Sequence, residues 1–198
     1  MDDGTTVLGE VRGGEPLEPA LAELEARLAD DLEALLGTVA ALTQAQADWR
    51  PAPGRWSVGE ILHHLVISNR GFAAAVRKLA QRGRRERTLA RPGSRRSWPR
   101  MRTIADAAAS GPVKNPEFAT PSAGVPVAEL RRGLSAAHAA VADQVASLAG
   151  LDLGALRMPH PLGFELNLYQ WADIAGAHER RHLAQIRAVI ADPGFPPA

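Results

Sequence analysis

The sequence predicts an all-α protein, a four-helix bundle with a long crossover connection between its second and third long helices. Four segments carry apolar residues at intervals of three and four, the spacing of one helix face. Aromatic residues make up only 5% of the chain, and alanine, leucine and arginine dominate, which favours helices over sheets. Residues 84–125 contain five prolines and no long periodic segment. We therefore expect them to form the connection, with a short helical turn at Thr103–Ala109.

The first two long helices are separated by a short turn of helix. A leucine-rich periodic pattern covers about residues 16–41 and predicts the first helix. Thr43–Gln46 and Ser57–Glu60 both have the spacing of a capping box, in which an N-cap side chain and a residue three positions later bond each other's backbone. The first box predicts the short turn and the second begins a long helix that fades at Gly83.

The last two long helices flank a predicted loop. Residues 127–148 show helical periodicity, and 151–166 contain two prolines and two glycines, which predict a loop. The final helix begins after Asn167, with Gln170 as its capping-box partner, and continues to Ile190.

Length and composition predict a single domain. With 198 residues the chain can bury a substantial core. We expect residues 1–14 to be disordered or loosely attached, 15–192 to form the bundle and 193–198 to be a C-terminal tail. The acidic start and the lack of a long apolar run predict a cytoplasmic protein without a membrane segment. The chain has no cysteine, so any thiol chemistry would need a thiol from outside.

Three histidines predict a metal site. His178 and His182 are spaced i, i+4, so in a helix both project from one face, one turn apart. Their stripe is apolar, and the apolar border of the second long helix contains His64, whereas His63 lies on a stripe that continues through arginines. Three neutral nitrogen ligands would leave open coordination positions, which is typical of catalytic metal sites.

The remaining histidines have simpler interpretations. We interpret His138 as a core histidine and His160 as a loop histidine.

The segment His178–His182 also has the H-E-x-x-H pattern of zinc proteases, in which Glu179 would be the general base. Arginines fill its middle positions, and no histidine or glutamate follows His182 to act as a third ligand. We therefore discount that pattern and expect Glu179 to pair with a surface arginine.

The chain resembles the DinB/YfiT-like superfamily of small metal-binding four-helix bundles. The matching segments are Trp49-Arg50-Pro51, Gly54–Leu65, His160-Pro161-Leu162-Gly163 and His178–Ile186. The resemblance implies that His64, His178 and His182 bind a divalent metal such as Zn, Ni, Mn or Fe. It also implies an activity like that of relatives that are S-transferases or isomerases using low-molecular-weight thiols, for example bacillithiol or mycothiol.

An arginine-rich stretch departs from this pattern. Residues 82–102 hold nine arginines against the single acid Glu86, a local net charge of +8 in a chain whose net charge is +1. A solvated loop, a nucleic-acid contact and recruitment of an anionic substrate are the three interpretations. We expect most of these arginines to be exposed and none to contact the metal.

Together these features predict a metal-dependent enzyme acting on a small-molecule substrate, either a transferase that uses an exogenous low-molecular-weight thiol or a hydrolase. The alternative is a nucleic-acid-binding or stress-response module whose metal is structural, although nucleic acid is the less favoured partner. The sequence is also compatible with a homodimer. The sequence does not choose among the metals.

Overall fold

The computed structural model describes residues 17–91, 116–161 and 164–197, and it is predominantly helical. The expectations for residues 1–14 and for the turn at 103–109 lie outside this range. The helices are α1 (Leu17–Val39), α2 (Gln44–Asp48), α3 (Val58–Glu86), α4 (Val127–Ala146) and α5 (Leu168–Ile190), and a 3-10 turn covers Glu117–Ala119. The predicted all-α fold is confirmed.

Capping boxes fix the starts of three helices, as predicted. The N-cap side chains of Thr43, Ser57 and Asn167 each accept a hydrogen bond from the backbone N–H three residues later. In each box the later side chain bonds back to the N-cap backbone, which satisfies two N–H groups that the helix leaves unpaired. The starts of α3 and α5 set the phase of the helices that contain the candidate ligands.

Two segments differ from the sequence-based expectation. Helix α3 continues past Gly83 to Glu86 and ends at Arg87, whose φ of 55° is left-handed. The predicted loop 151–166 contains a small antiparallel hairpin of β1 (Arg157–Pro159) and β2 (Glu165–Asn167), with Met158 opposite Leu166. Strands of three residues are too short to show the alternating pattern by which strands are recognised.

The four long helices form a ring in which α3 packs between α4 and α5, and α1 packs between the same two helices on the other side. Helix α3 therefore lies diagonally across the bundle from α1. Within the described residues, no helix has the length and apolar content needed to cross a bilayer.

The core consists of two apolar clusters with a polar layer between them. One cluster includes Phe72 of α3 and Ala177 of α5, and the other includes Val66 and Leu183. Polar side chains lie between these positions, Asn69 on α3 and His178, Glu179 and His182 on α5, and His138 of α4 contacts Glu179. Because buried polar groups are costly unless they are bonded, this layer is where a function is expected.

The described arginines of the basic stretch lie at the end of α3, and Arg91 follows it. Arg82 donates a hydrogen bond to the Arg157 carbonyl at 3.0 Å, and Arg84 donates to the carbonyl of Ser147. These contacts join α3 to the hairpin and to the end of α4. The exposed ones are Arg84, Arg85, Arg87 and Arg91. Outside the described residues lie Arg95, Arg96, Arg100, Arg102 and Trp98.

Candidate metal centre

The three histidines selected from the sequence meet at one point between α3 and α5. The Nε2 atom of His178 lies 3.2 Å from Nε2 of His64 and 3.2 Å from Nε2 of His182. One nitrogen from each ring falls within 4.8 Å of the other two. His64 and His182 are buried and His178 is partly buried. His63, as expected, is more exposed than His64.

Acceptors on the far side of two rings decide which nitrogen carries the proton. Nδ1 of His64 lies 2.8 Å from the carbonyl oxygen of Ala119, which can only accept, so Nδ1 is the donor. Nδ1 of His182 lies 2.9 Å from Oε1 of Gln185, and with the amide in this orientation it too donates. In the neutral rings both Nε2 atoms then present lone pairs toward His178. Histidines that bind metals commonly donate their other N–H in this way.

The geometry suits a bound cation better than hydrogen bonds among the rings. A neutral His178 can donate only one Nε2–H, whereas two lone pairs face that atom. Its Nδ1 is buried and has no hydrogen-bond partner among the described residues. Imidazole nitrogens that share one ion at about 2.0–2.1 Å lie about 2.8–3.4 Å apart in octahedral or tetrahedral arrangements. The observed separations of 3.2 Å match that range.

The surroundings keep all three rings neutral, which metal binding requires. Burial lowers the pKa of His182 to about 3, with a further lowering by the His64 ring. Burial also lowers the pKa of His64, and it lowers that of His178 well below its ordinary value of 6.5. The positive charge of Arg181 is a smaller contribution at each ring. The rings are therefore available as lone-pair donors at neutral pH.

Aromatic side chains line the histidine cluster on two sides. The ring of Trp56 lies 5.0 Å from that of His64 and stacks on His182 at 6.5 Å, measured between centroids. Phe72 meets His178 edge-on at 5.5 Å. Apolar walls of this kind limit the access of water and strengthen electrostatic interactions inside the site.

The expectation for Glu179 was wrong. Its side chain is fully buried and accepts hydrogen bonds from Nδ2 of Asn69 at 2.6 Å and from Nδ1 of His138 at 3.0 Å. The other oxygen, Oε2, has no partner among the described residues. Glu179 directly follows His178 on α5, so its side chain points away from the histidine cluster and into the core. No surface arginine reaches it there. This arrangement also differs from a protease base, which must face the metal.

The structure agrees with the reading of His138 as a core histidine, because it is buried and bonded to Glu179. His160 is more than a loop residue. Its ring stacks on Phe164 at 4.6 Å and lies 5.2 Å from Trp171, and burial lowers its pKa to about 4. It borders the site closely enough to influence the pKa of His178.

Sequence reasoning missed the site roles of Arg181 and Phe72. Arg181 was counted only as evidence against a protease, although its position between the two helical histidines already indicated proximity. Phe72 lies two turns after His64 on α3, and in the sequence an apolar residue at that spacing is indistinguishable from an ordinary core residue.

Comparison with known proteins agrees with this architecture. The family model of the DinB superfamily matches residues 18–186. The chain is also 26% identical over 149 residues to "Uncharacterized protein YuaE" of Bacillus subtilis (strain 168), an alignment that covers 75% of this chain and 85% of that protein. No solved structure matches in the corresponding comparison. From the extent of the family match and the bundle that its residues form, the chain belongs to the DinB superfamily.

Proposed function

We propose that this protein is a metal-dependent enzyme in which His64, His178 and His182 hold one divalent ion, Zn, Ni, Mn or Fe. Its reaction is the transfer of a low-molecular-weight thiol to a small-molecule substrate, or a hydrolysis. The observation that carries the proposal is the convergence of the three Nε2 atoms, with separations of 3.2 Å from His178 to each of the others.

The protein supplies a preorganised, neutral and partly apolar site. Ala119 and Gln185 hold the rings of His64 and His182 in the tautomer that presents Nε2. Trp56 and Phe72 cover two sides and limit solvent. An ion bound by three neutral ligands retains its positive charge and acts as a Lewis acid that lowers the pKa of a water molecule or thiol beside it.

The absence of cysteine from the chain fits a reaction that uses an external thiol. Within the chain no thiolate competes for the ion or acts as the nucleophile. A thiol-dependent reaction would therefore use a thiol from solution, and the free coordination positions of a three-histidine site give it a place to bind.

The test begins with metal content. The purified full-length protein should contain about one equivalent of a transition metal by elemental analysis, and replacing any one of the three histidines with Ala should remove most of it. His63→Ala is the matched control, because His63 is adjacent to His64 and half-buried. Loss of metal from the control alone, or retention in all three site variants, would contradict the ligand set.

Turnover is then measured with the metal-loaded protein. One panel pairs low-molecular-weight thiols with electrophiles, and a second contains activated esters and amides. We expect turnover in one panel that disappears in His178→Ala. Metal bound by the three histidines without turnover in either panel, together with salt-dependent nucleic-acid binding, would instead favour the structural-metal alternative.

A further inference from the structure

Arg181 is an exposed cation on α5 that lies three residues after His178 and one residue before His182. At about 100° per residue it lies roughly 60° around the α5 helix from His178, on the opposite side from His182. It therefore borders the stripe that carries the ligands, and its side chain is exposed.

The guanidinium of Arg181 makes no hydrogen bond and no ion pair within the part of the chain that the structure describes. The adjacent Arg180 differs, because it pairs with Asp31 of α1. An arginine presents five N–H donors in a planar fork that matches a carboxylate. The unpaired guanidinium of Arg181, beside the neutral histidine rings, can therefore bind an anion.

Arg181 carries its charge within one turn of both helical ligands, His178 and His182. Its positive field therefore adds to the potential at the histidine cluster. A divalent ion at the histidines would add to this field, so the site as a whole attracts anions.

We propose that Arg181 recognises a carboxylate on the substrate or on the thiol cosubstrate of this site. The inference rests on the proposed metal site and narrows its substrate class to small carboxylate-bearing molecules. One guanidinium suits a single carboxylate, held by paired hydrogen bonds, while the reacting group of the same molecule lies toward the histidines.

The test uses cobalt(II)-loaded full-length protein and three small thiols of similar size. They are 3-mercaptopropionate, which is anionic, 2-mercaptoethanol, which is neutral, and cysteamine, which is cationic. Dissociation constants are obtained from the change in the cobalt absorption spectrum. We expect 3-mercaptopropionate to bind most tightly and cysteamine least tightly.

Substitution isolates the contribution of Arg181. The affinity ratio of 3-mercaptopropionate to 2-mercaptoethanol should fall about five- to tenfold in Arg181→Ala and be restored in part by Arg181→Lys. Because the same two thiols are compared in every variant, their intrinsic basicity cancels. Arg187→Ala is the matched control, since it removes an exposed arginine from the same helix on roughly the opposite side from His178, and it should leave the ratio unchanged.

The outcomes separate the two proposals. Equal ratios in the wild type and Arg181→Ala, with all three thiols still binding the cobalt, would overturn the role of Arg181 and leave the metal site standing. An equal fall in Arg187→Ala would show a general charge effect and would also overturn it. If cobalt does not bind, the proposed metal site itself is wrong. If cobalt binds and none of the three thiols changes its spectrum, the role of Arg181 is overturned while the metal site stands.

Discussion

The Nε2 atoms of His64 and His178 lie 3.2 Å apart although 114 residues separate them in the sequence. One ring is carried by α3 and the other by α5, two helices that pack side by side along the bundle. Each ring is neutral at pH 7 because burial lowers its pKa. Because a neutral His178 can donate only one Nε2 proton while His64 and His182 both direct lone pairs at it, the three rings together are best satisfied by a shared cation.

The apo protein should remain folded. The two apolar clusters are built from helices that bury their own faces, so folding does not require the ion, in contrast to a zinc finger. Chelation should leave the far-ultraviolet circular dichroism spectrum intact and lower the melting temperature. At a free metal concentration about 100 times Kd, binding stabilises the folded state by about 2.7 kcal/mol. Loss of helical signal on chelation would identify the site as structural.

Removing the acceptor behind His182 should weaken metal binding. Gln185→Ala deletes the group that receives the Nδ1 proton of His182 and so releases the ring's tautomer and orientation. We expect metal affinity to fall about tenfold, at the low end for such supporting groups. Competition with a chromophoric chelator measures it. Gln81→Ala, an exposed glutamine on α3, should have no effect. A change of equal size in that control would refute the tautomer argument.

The apo protein should lose stability in mild acid. Burial lowers the pKa of His182 to about 3, against an ordinary value of 6.5. Between these values the unfolded chain binds a proton that the folded protein does not, so stability is complete above about pH 6.5 and declines as the pH falls toward 3. His64 and His178 act in the same direction.

Melting temperatures of the apo protein from pH 7.5 to 4.5 test this pH dependence. The decline should be shallower in His182→Ala than in the wild type, whereas His63→Ala should follow the wild type. Identical slopes in all three proteins would show that the site histidines do not control acid stability.

The buried Glu179 should matter for stability and not for metal binding. Glu179→Ala leaves Asn69 and His138 without their shared acceptor in the core. We expect the free energy of unfolding to fall by about 2–4 kcal/mol in urea denaturation, with metal content unchanged. Glu33→Ala, at an exposed position on α1, should change it by less than about 0.5 kcal/mol. Loss of metal from a folded Glu179→Ala protein would mean that the carboxylate supports the site directly.

The sequence by itself determined the helices and the candidate ligands. Capping boxes at Ser57 and Asn167 and the apolar periodicity fixed where α3 and α5 begin, and both signals depend on neighbours within a few residues. Helical phase then distinguished His64 from His63, because a ring at the border of an apolar face must turn inward.

Tertiary structure decided what those side chains meet. Glu179 looked like a surface partner for arginine, yet the packing of α3 and α4 against α5 encloses it with Asn69 and His138. The contact of His64 with Ala119 likewise depends on the return of the chain after the long connection. Local patterns report which face of a helix is buried. Only the packed bundle brings together groups that are distant in sequence, since their proximity depends on how several helices are arranged at once.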